Sequence, residues 1–366
     1  MKKIVILSFV ASALFAGCCN CGKSSNNDFK SGILVDEFIY ETASYPSCHS
    51  ATIEETPEGM VASWFGGTKE RNPDVCIWVS RQVDGKWQEG IMAADGVQND
   101  TLRYPTWNPV LYQVPGAELI LFYKVGPSPS EWWGMLKRST DNGKTWGEAE
   151  RLPDGFYGPV KNKPILLADG TLACPSSKEG VSPGWKSYFE YTKDWGKTWE
   201  KGDELNDGKV YQAIQPSLLI YPDGKMQVIA RTRMSVVAGC WSEDGGKTWG
   251  LMRDIGLPNN NSGLDAVSLK NGTQMVVYNH VKTPIGAPKG HRTPLNVATS
   301  KDGKHWNAAL ILEDSDISQY SYPSIMQSSD GLVHIVYTWR RERIKHVVID
   351  PEKIKETPIV YEQWPE

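Results

Sequence analysis

What this sequence lacks narrows its chemistry before any motif is considered. Its 366 residues carry a formal net charge of -4, and no run of Lys or Arg could track a phosphate backbone, which excludes nucleic acid as a partner class. Cysteine is scarce: seven residues, of which Cys18, Cys19 and Cys21 crowd the N-terminus. The remaining Cys48, Cys76, Cys174 and Cys240 form no CxxC pair, so neither a disulfide framework nor a structural metal is expected, and no cofactor is implied. Such isolated cysteines read as small buried hydrophobes, and a Cys48–Cys76 bridge has no support in the pattern. Also missing is any long stretch with an apolar period of 3.6, which argues against a helical fold.

Aromatics and turn formers are abundant instead. Fifteen Trp, fifteen Tyr, 34 Gly and 23 Pro favour strands joined by tight turns. At the N-terminus, "MKK" is followed by the apolar "IVILSFVASALFA", too short for a comfortable membrane span, and then by "AGC". The stretch "LFAGC" resembles a bacterial lipoprotein signal. That resemblance implies a signal peptide over 1–17, lipid attachment at Cys18, and a flexible tether over 18–31. An ordinary secretory signal is the alternative. Either way the mature protein is exported, and in the first case a lipid anchors it to a bacterial membrane, on the periplasmic or cell-surface side of the outer membrane. The lipid would be its one membrane contact.

A repeated phrase organises the rest. "STDNGKTW", "TKDWGKTW" and "SEDGGKTW" end at Trp146, Trp199 and Trp249, with weaker copies "SKDGKHW" and "RQVDGKW" ending at Trp306 and Trp87. The spacing is roughly 50–60 residues, enough for four short strands with their turns, which is one blade of a propeller. Asp and Gly suit a hairpin turn, because Gly accepts positive φ and the carboxylate accepts backbone N–H bonds. The Trp would pack between strands.

A second repeat shares this period: "HSATI", "NPVLY", "KPILL", "QPSLL", "DAVSL" and "YPSIM", starting at His49, Asn108, Lys163, Gln215, Asp265 and Tyr322. Six starts predict an all-β, six-bladed propeller of four-stranded antiparallel blades. The early run "GILVDEFIYE" would supply the outer strand of the last blade and close the ring. Length alone suggests two domains at about 150 residues each, but the repeats predict one, over 32–366. If each segment is the innermost strand of its blade, six polar residues ring one mouth of the central channel, a default place for a site.

The phrase S-x-D-x-G-x-T-W is the Asp box, and the chain resembles the sialidase superfamily. In that family three Arg clamp a sugar carboxylate, a Tyr is the nucleophile, a Glu activates it, and an Asp is acid/base. The resemblance assigns Arg231 (with Arg233 its neighbour) and Arg292 as two clamp residues, Tyr322 as the Tyr, and Glu70 or Asp74 in "FGGTKERNPD" as the acid. It breaks at two positions. His49 stands where the first Arg opens blade one, and Gln215 stands where the Glu opens blade four.

Three functions follow. The first is an exo-α-sialidase-like glycoside hydrolase acting on a terminal acidic sugar, with Asn108, Lys163, Gln215 and Asp265 as further substrate contacts. The second is a lyase or atypical hydrolase of uronic-acid glycans, with His49 as base and Tyr322 as acid. The third is a non-catalytic glycan binder using Trp107, Trp132, Trp133 and Trp185 as stacking platforms. All three imply an acidic oligosaccharide or glycoconjugate partner and a monomer. The basic stretch "WRRERIKH" reads first as a solvated strand edge, with contact to an acidic glycan as the alternative.

Overall fold

The computed structural model describes residues 29–180, 184–287, 289–317 and 319–366; the signal segment and Cys18 lie outside the described residues. The repeat unit is one antiparallel blade, and six blades form the ring. Their innermost strands are Ser47–Thr56, Thr106–Gln113, Ile165–Leu166, Ala213–Ile220, Asp265–Ser268 and Tyr320–Gln327. Strand Ile33–Phe38 pairs antiparallel with Arg343–Ile349 and supplies the outer strand of blade six, so N- and C-terminal segments close the ring together. Blade one carries an extra strand, Ile91–Ala94, and blade five gains the C-terminal pair Thr357–Pro358.

The core lies between blades. Val61, Phe65 and Ile77 of blade one are buried with Leu111, Leu121 and Tyr123 of blade two. Further clusters seal the junctions of blades two and three, three and four, four and five, five and six, and six and one. Each junction buries two apolar sheet faces, which is the dominant favourable term for such a ring. Cys48, Cys76, Cys174 and Cys240 are buried free thiols.

The Asp boxes staple these junctions. In blade three, Asp194 Oδ1 accepts N–H bonds from Thr198 (2.8 Å) and Lys197 (3.1 Å), and the Thr192 hydroxyl donates to it at 2.9 Å. Its Oδ2 accepts from Thr198 Oγ1 at 2.7 Å. Gly196 sits at φ +94°, a conformation that disfavours any Cβ. The ring of Trp199 then crosses to blade two and meets Phe122 edge-on at 6.2 Å, and Trp249 of blade four lies on Phe189 of blade three at 5.8 Å. The Trp therefore packs between blades, a longer reach than packing between strands. In the fourth box His305 replaces the Thr, with Nδ1 2.7 Å from Asp302 Oδ2. The weak copy near Trp87 is no box: Asp84 and Gly85 form a two-residue turn at φ +48° and +73° that joins Cys76–Val83 to Lys86–Trp87.

Burial opposes ionisation of Asp141, yet its turn bonds outweigh that and hold it down at about 2; Asp194, Asp244 and Asp302 are lowered for the same reason. Depressed carboxylates stabilise the fold above the ordinary value near 3.9 and lose that contribution as pH falls through their folded values. Unfolding followed by Trp fluorescence should therefore show stability falling between about pH 4 and pH 2. Asp194→Ala should lower the urea midpoint by the equivalent of about 1–3 kcal/mol with an unchanged slope.

Candidate active site

The mouth is built on a backbone irregularity. The pairing of the inner strands breaks between His49 and Thr52, around Asn108, between Ile214 and Ser217, and between Ser321 and Ser324. At these bulges Ser50, Asn108, Gln215 and Tyr322 have φ of +57°, +37°, +55° and +54°. Three of the four precede Pro, where sterics favour an extended backbone, so the conformation is disfavoured twice over and costs about 1–3 kcal/mol at each residue. Such strain survives only where surroundings over-determine it, and it clusters at functional sites.

Three of the sequence-predicted ring positions are displaced; in blade one the bulged residue is Ser50, one after His49. In blades two, four and six the bulged residue lies six positions ahead of the amide that closes the inner turn, at Val114, Tyr221 and Ser328. The same count from Leu167 and Leu269 gives Lys161 and Gly263, each two residues before the expected Lys163 and Asp265. Contacts agree. Lys161 Nζ donates to the carbonyls of Leu264 (2.7 Å) and Pro323 (2.5 Å) and lies 5.8 Å from the Tyr322 ring centroid. A Cβ on Gly263 would meet Lys161, Tyr322 and Gln215 within 3.1–3.3 Å, so this Gly is what lets the Tyr322 ring approach. Lys163 instead pairs with Glu54 at 2.6 Å, and Asp265 accepts from Ser217 Oγ (2.9 Å) and the Ile325 amide (3.1 Å). Both line a separate cavity of about 500 Å³. The alignment on a small or Pro residue failed there because no left-handed bulge is seen at Lys163 or Asp265.

Tyr322 is the centre of the mouth. Arg231 Nη1 donates to its Oη at 2.7 Å and to Gln215 Oε1 at 3.2 Å, while Nε and Nη2 bond Asn261. All sides of the Arg231 fork are thus engaged within the protein, and the residue is 5 % exposed. Arg292 is partly exposed, donates to Ser321 Oγ at 3.2 Å, and its guanidinium carbon lies 5.3 Å from the Tyr322 ring centroid. Desolvation pulls it down to about 10, with Tyr322 opposing. Lys161, fully desolvated, is pulled down to about 8 despite Asp265. Asn108 is buried at its bulge, and its side chain makes no hydrogen bond among the described residues.

His49 does join this cluster: its ring centroid is 4.1 Å from that of Tyr322, and Nδ1 is 2.9 Å from Thr338 Oγ1. Desolvation, then the charges of Arg341, Arg292, Lys161 and Arg231, hold its pKa well below the ordinary range. Its imidazole is neutral and a weak base.

The two acid candidates of blade one diverge. Glu70 forms an ion pair with Arg341 at 2.6 Å. Asp74 is exposed; burial pushes its pKa up, but the hydroxyl (2.6 Å) and amide (2.9 Å) of Thr68 outweigh this and hold the carboxyl below its usual range. The Asp74 carboxylate is therefore engaged by Thr68 as a loop staple.

Sequence reasoning missed three residues. Arg341 comes from the "WRRERIKH" turn of blade six, where Arg340 and Arg341 have φ of +56° and +66° and the Arg341 carbonyl accepts the Cys48 amide at 2.8 Å. That bond ties the turn to the strand bearing His49, and consecutive positive φ values are foreign to a plain strand edge. Lys161 was hidden by the neighbouring Lys163. Glu179, at the end of strand Leu172–Lys178, carries no sequence signal beyond lying at a strand end. As for the aromatic platforms, Trp107, Trp132 and Trp185 are buried, at 2 %, 7 % and 8 % exposure, which leaves half-buried Trp133 beneath Arg151.

If His49 is neutral as described, its ring resonances should not titrate between pH 5 and 8 in ¹⁵N-edited NMR, and a His49 signal that moves across this range would overturn the description.

A family model described as "BNR repeat-like domain" matches residues 58–335. A curated sialidase of Paraclostridium sordellii is 28% identical over 137 residues, covering 33% of this chain and 33% of that protein. The chain thus matches about a third of the length of that relative. Among solved structures, a protein of unknown function from Dyadobacter fermentans superposes with a TM-score of 0.70 at 16% identity, covering 87% of this chain and 99% of that one. The NanB sialidase of Streptococcus pneumoniae gives 0.68 at 12% identity, covering 87% and 71%; at these identities the likeness is one of fold. With the Asp boxes, the six blades and the family match in agreement, the chain belongs to the BNR repeat-like domain family of the sialidase superfamily.

Proposed function

We propose that this protein is a sialidase-like exo-glycosidase, exported and lipid-anchored at Cys18, that removes a terminal acidic sugar from an extracellular glycan. One observation carries the reading: Arg231 bonds the Tyr322 hydroxyl, the Arg292 guanidinium carbon lies 5.3 Å from the Tyr322 ring centroid, and the Arg341 turn is bonded to Cys48 beside His49, whose ring centroid is 4.1 Å from that of Tyr322. Gathering like charges in a desolvated mouth is unfavourable unless an anion completes the site. A planar carboxylate matches guanidinium geometry, and a sugar acid offers one. Arg231 is committed to Tyr322, Gln215 and Asn261, so Arg292 and Arg341 are the groups we assign to the carboxylate, with Arg231 contributing charge. Arg341 then occupies the role left open by His49, with Glu70 holding it in place.

Tyr322 faces the reacting carbon in this reading. Gln215 cannot accept a proton, and the phenol oxygen's hydrogen bond is to Arg231, which leaves no general base beside it. Its oxygen therefore serves best as an electrostatic stabiliser of the positive charge that develops at the anomeric carbon. The lyase alternative needs His49 as base, and the depressed basicity of that buried ring weighs against it.

The full chain, solubilised in detergent, should release free sialic acid from sialyllactose, detected by mass spectrometry. Tyr322→Phe should lower kcat by roughly 10²-fold or more. Arg292→Ala should lower kcat/KM by about 10²-fold, chiefly through KM, as expected for a lost charge-assisted carboxylate contact. Intact sialyllactose together with an unsaturated product from a uronate oligosaccharide would replace this reading with the lyase.

A further inference from the structure

The mouth needs a group that carries a proton, and neither blade-one candidate is suited to it. Glu70 is held by Arg341 and Asp74 by Thr68. Glu179 of blade three differs from both. Strand Leu172–Lys178 runs to the mouth, where the Ser177 hydroxyl accepts the amide of Gln215 at 3.2 Å. Glu179 follows two residues later. Its carboxyl feels Arg231 and Arg233 of blade four and also Arg71 and Glu70 of blade one. Its place just past the end of a strand bonded to the Gln215 bulge puts it at the rim of the mouth. It is half-buried, and among the described residues it makes no hydrogen bond or ion pair. Three guanidinium groups would ordinarily hold such a carboxyl in its ionised form. Desolvation wins instead and keeps its pKa above the ordinary range.

We propose that Glu179 is the proton donor to the leaving group and the base that activates the incoming water. The inference rests on the exo-glycosidase reading above. The anomeric C–O bond breaks with its electron pair moving to the leaving oxygen, which takes the Glu179 proton. The resulting carboxylate removes a proton from water as the water oxygen bonds to the anomeric carbon, which returns Glu179 to its acid form. Net, one water is consumed and one alcohol and one free sugar are produced. The Asp of the superfamily, supplied from blade one, is thereby replaced by a Glu from blade three.

The test compares two substrates of the full chain: sialyllactose, whose leaving alcohol needs a proton, and a 4-methylumbelliferyl α-sialoside, whose leaving phenoxide does not. Glu179→Gln should lower kcat/KM on sialyllactose by at least about 10²-fold and on the aryl sialoside by less than about tenfold. Turnover of the aryl substrate also reports that the variant is folded. In the wild type, kcat/KM on sialyllactose should fall as pH rises through the Glu179 pKa, and this alkaline limb should be weak with the aryl sialoside. Equal losses on both substrates, no loss on either, or equal alkaline limbs would overturn Glu179 as donor while leaving the glycosidase reading intact. A wild-type protein inactive on both substrates would remove the two together.

Discussion

Everything at the mouth depends on one backbone constraint, the left-handed bulge at the entry of the inner strands. A regular strand would send successive side chains alternately into the two blade junctions. The bulges at Ser50, Asn108, Gln215 and Tyr322 break that alternation and turn a polar residue toward the axis. The cost is steric, and it is borne by packing that lies elsewhere. Each junction holds a buried apolar cluster, and the Asp-box Trp residues clamp neighbouring blades from the outside. The rigid ring holds the strained residues; a lone hairpin would relax them.

Electrostatics then divides the labour. Cations dominate the mouth: Arg231 bonded to the Tyr322 hydroxyl, Arg292 and Lys161 near its ring, and Arg341 in the turn bonded to Cys48 beside His49. In that setting a carboxyl would be expected to ionise, and Asp265, Glu54 and Glu70 do find cationic neighbours in Lys161, Lys163 and Arg341. Asp265 is also pushed up by desolvation, but Glu179 differs in making no hydrogen bond or ion pair among the described residues. The same desolvation that holds the His49 pKa down pushes that of Glu179 up, because burial penalises the charged form of each.

Much of the architecture was legible in the chain because it is written redundantly. Asp-box spacing and the second repeat independently give six blades, and "GILVDEFIYE" is a strand at the place where closure needs one. The site was legible only in part. Tyr322, Arg231, Arg292 and His49 meet as their positions implied. Lys163 and Asp265 missed by two residues because an alignment on a small or Pro residue gives the same register to every blade, whereas neither of these two residues has the left-handed φ seen at Asn108, Gln215 and Tyr322.

By itself, then, the sequence determined the period, the blade number, the staple chemistry and the closing strand, since these follow from local turn propensity and repetition. Only the tertiary structure decided which charges meet. Arg341 is brought toward His49 because a strained turn of blade six is bonded to blade one, and Glu179 lies near the mouth because Ser177, two residues earlier, is bonded to the Gln215 bulge of blade four. Residues that far apart in the chain are joined by ring closure alone, and desolvation, which sets their protonation, is a property of the assembled mouth rather than of any segment.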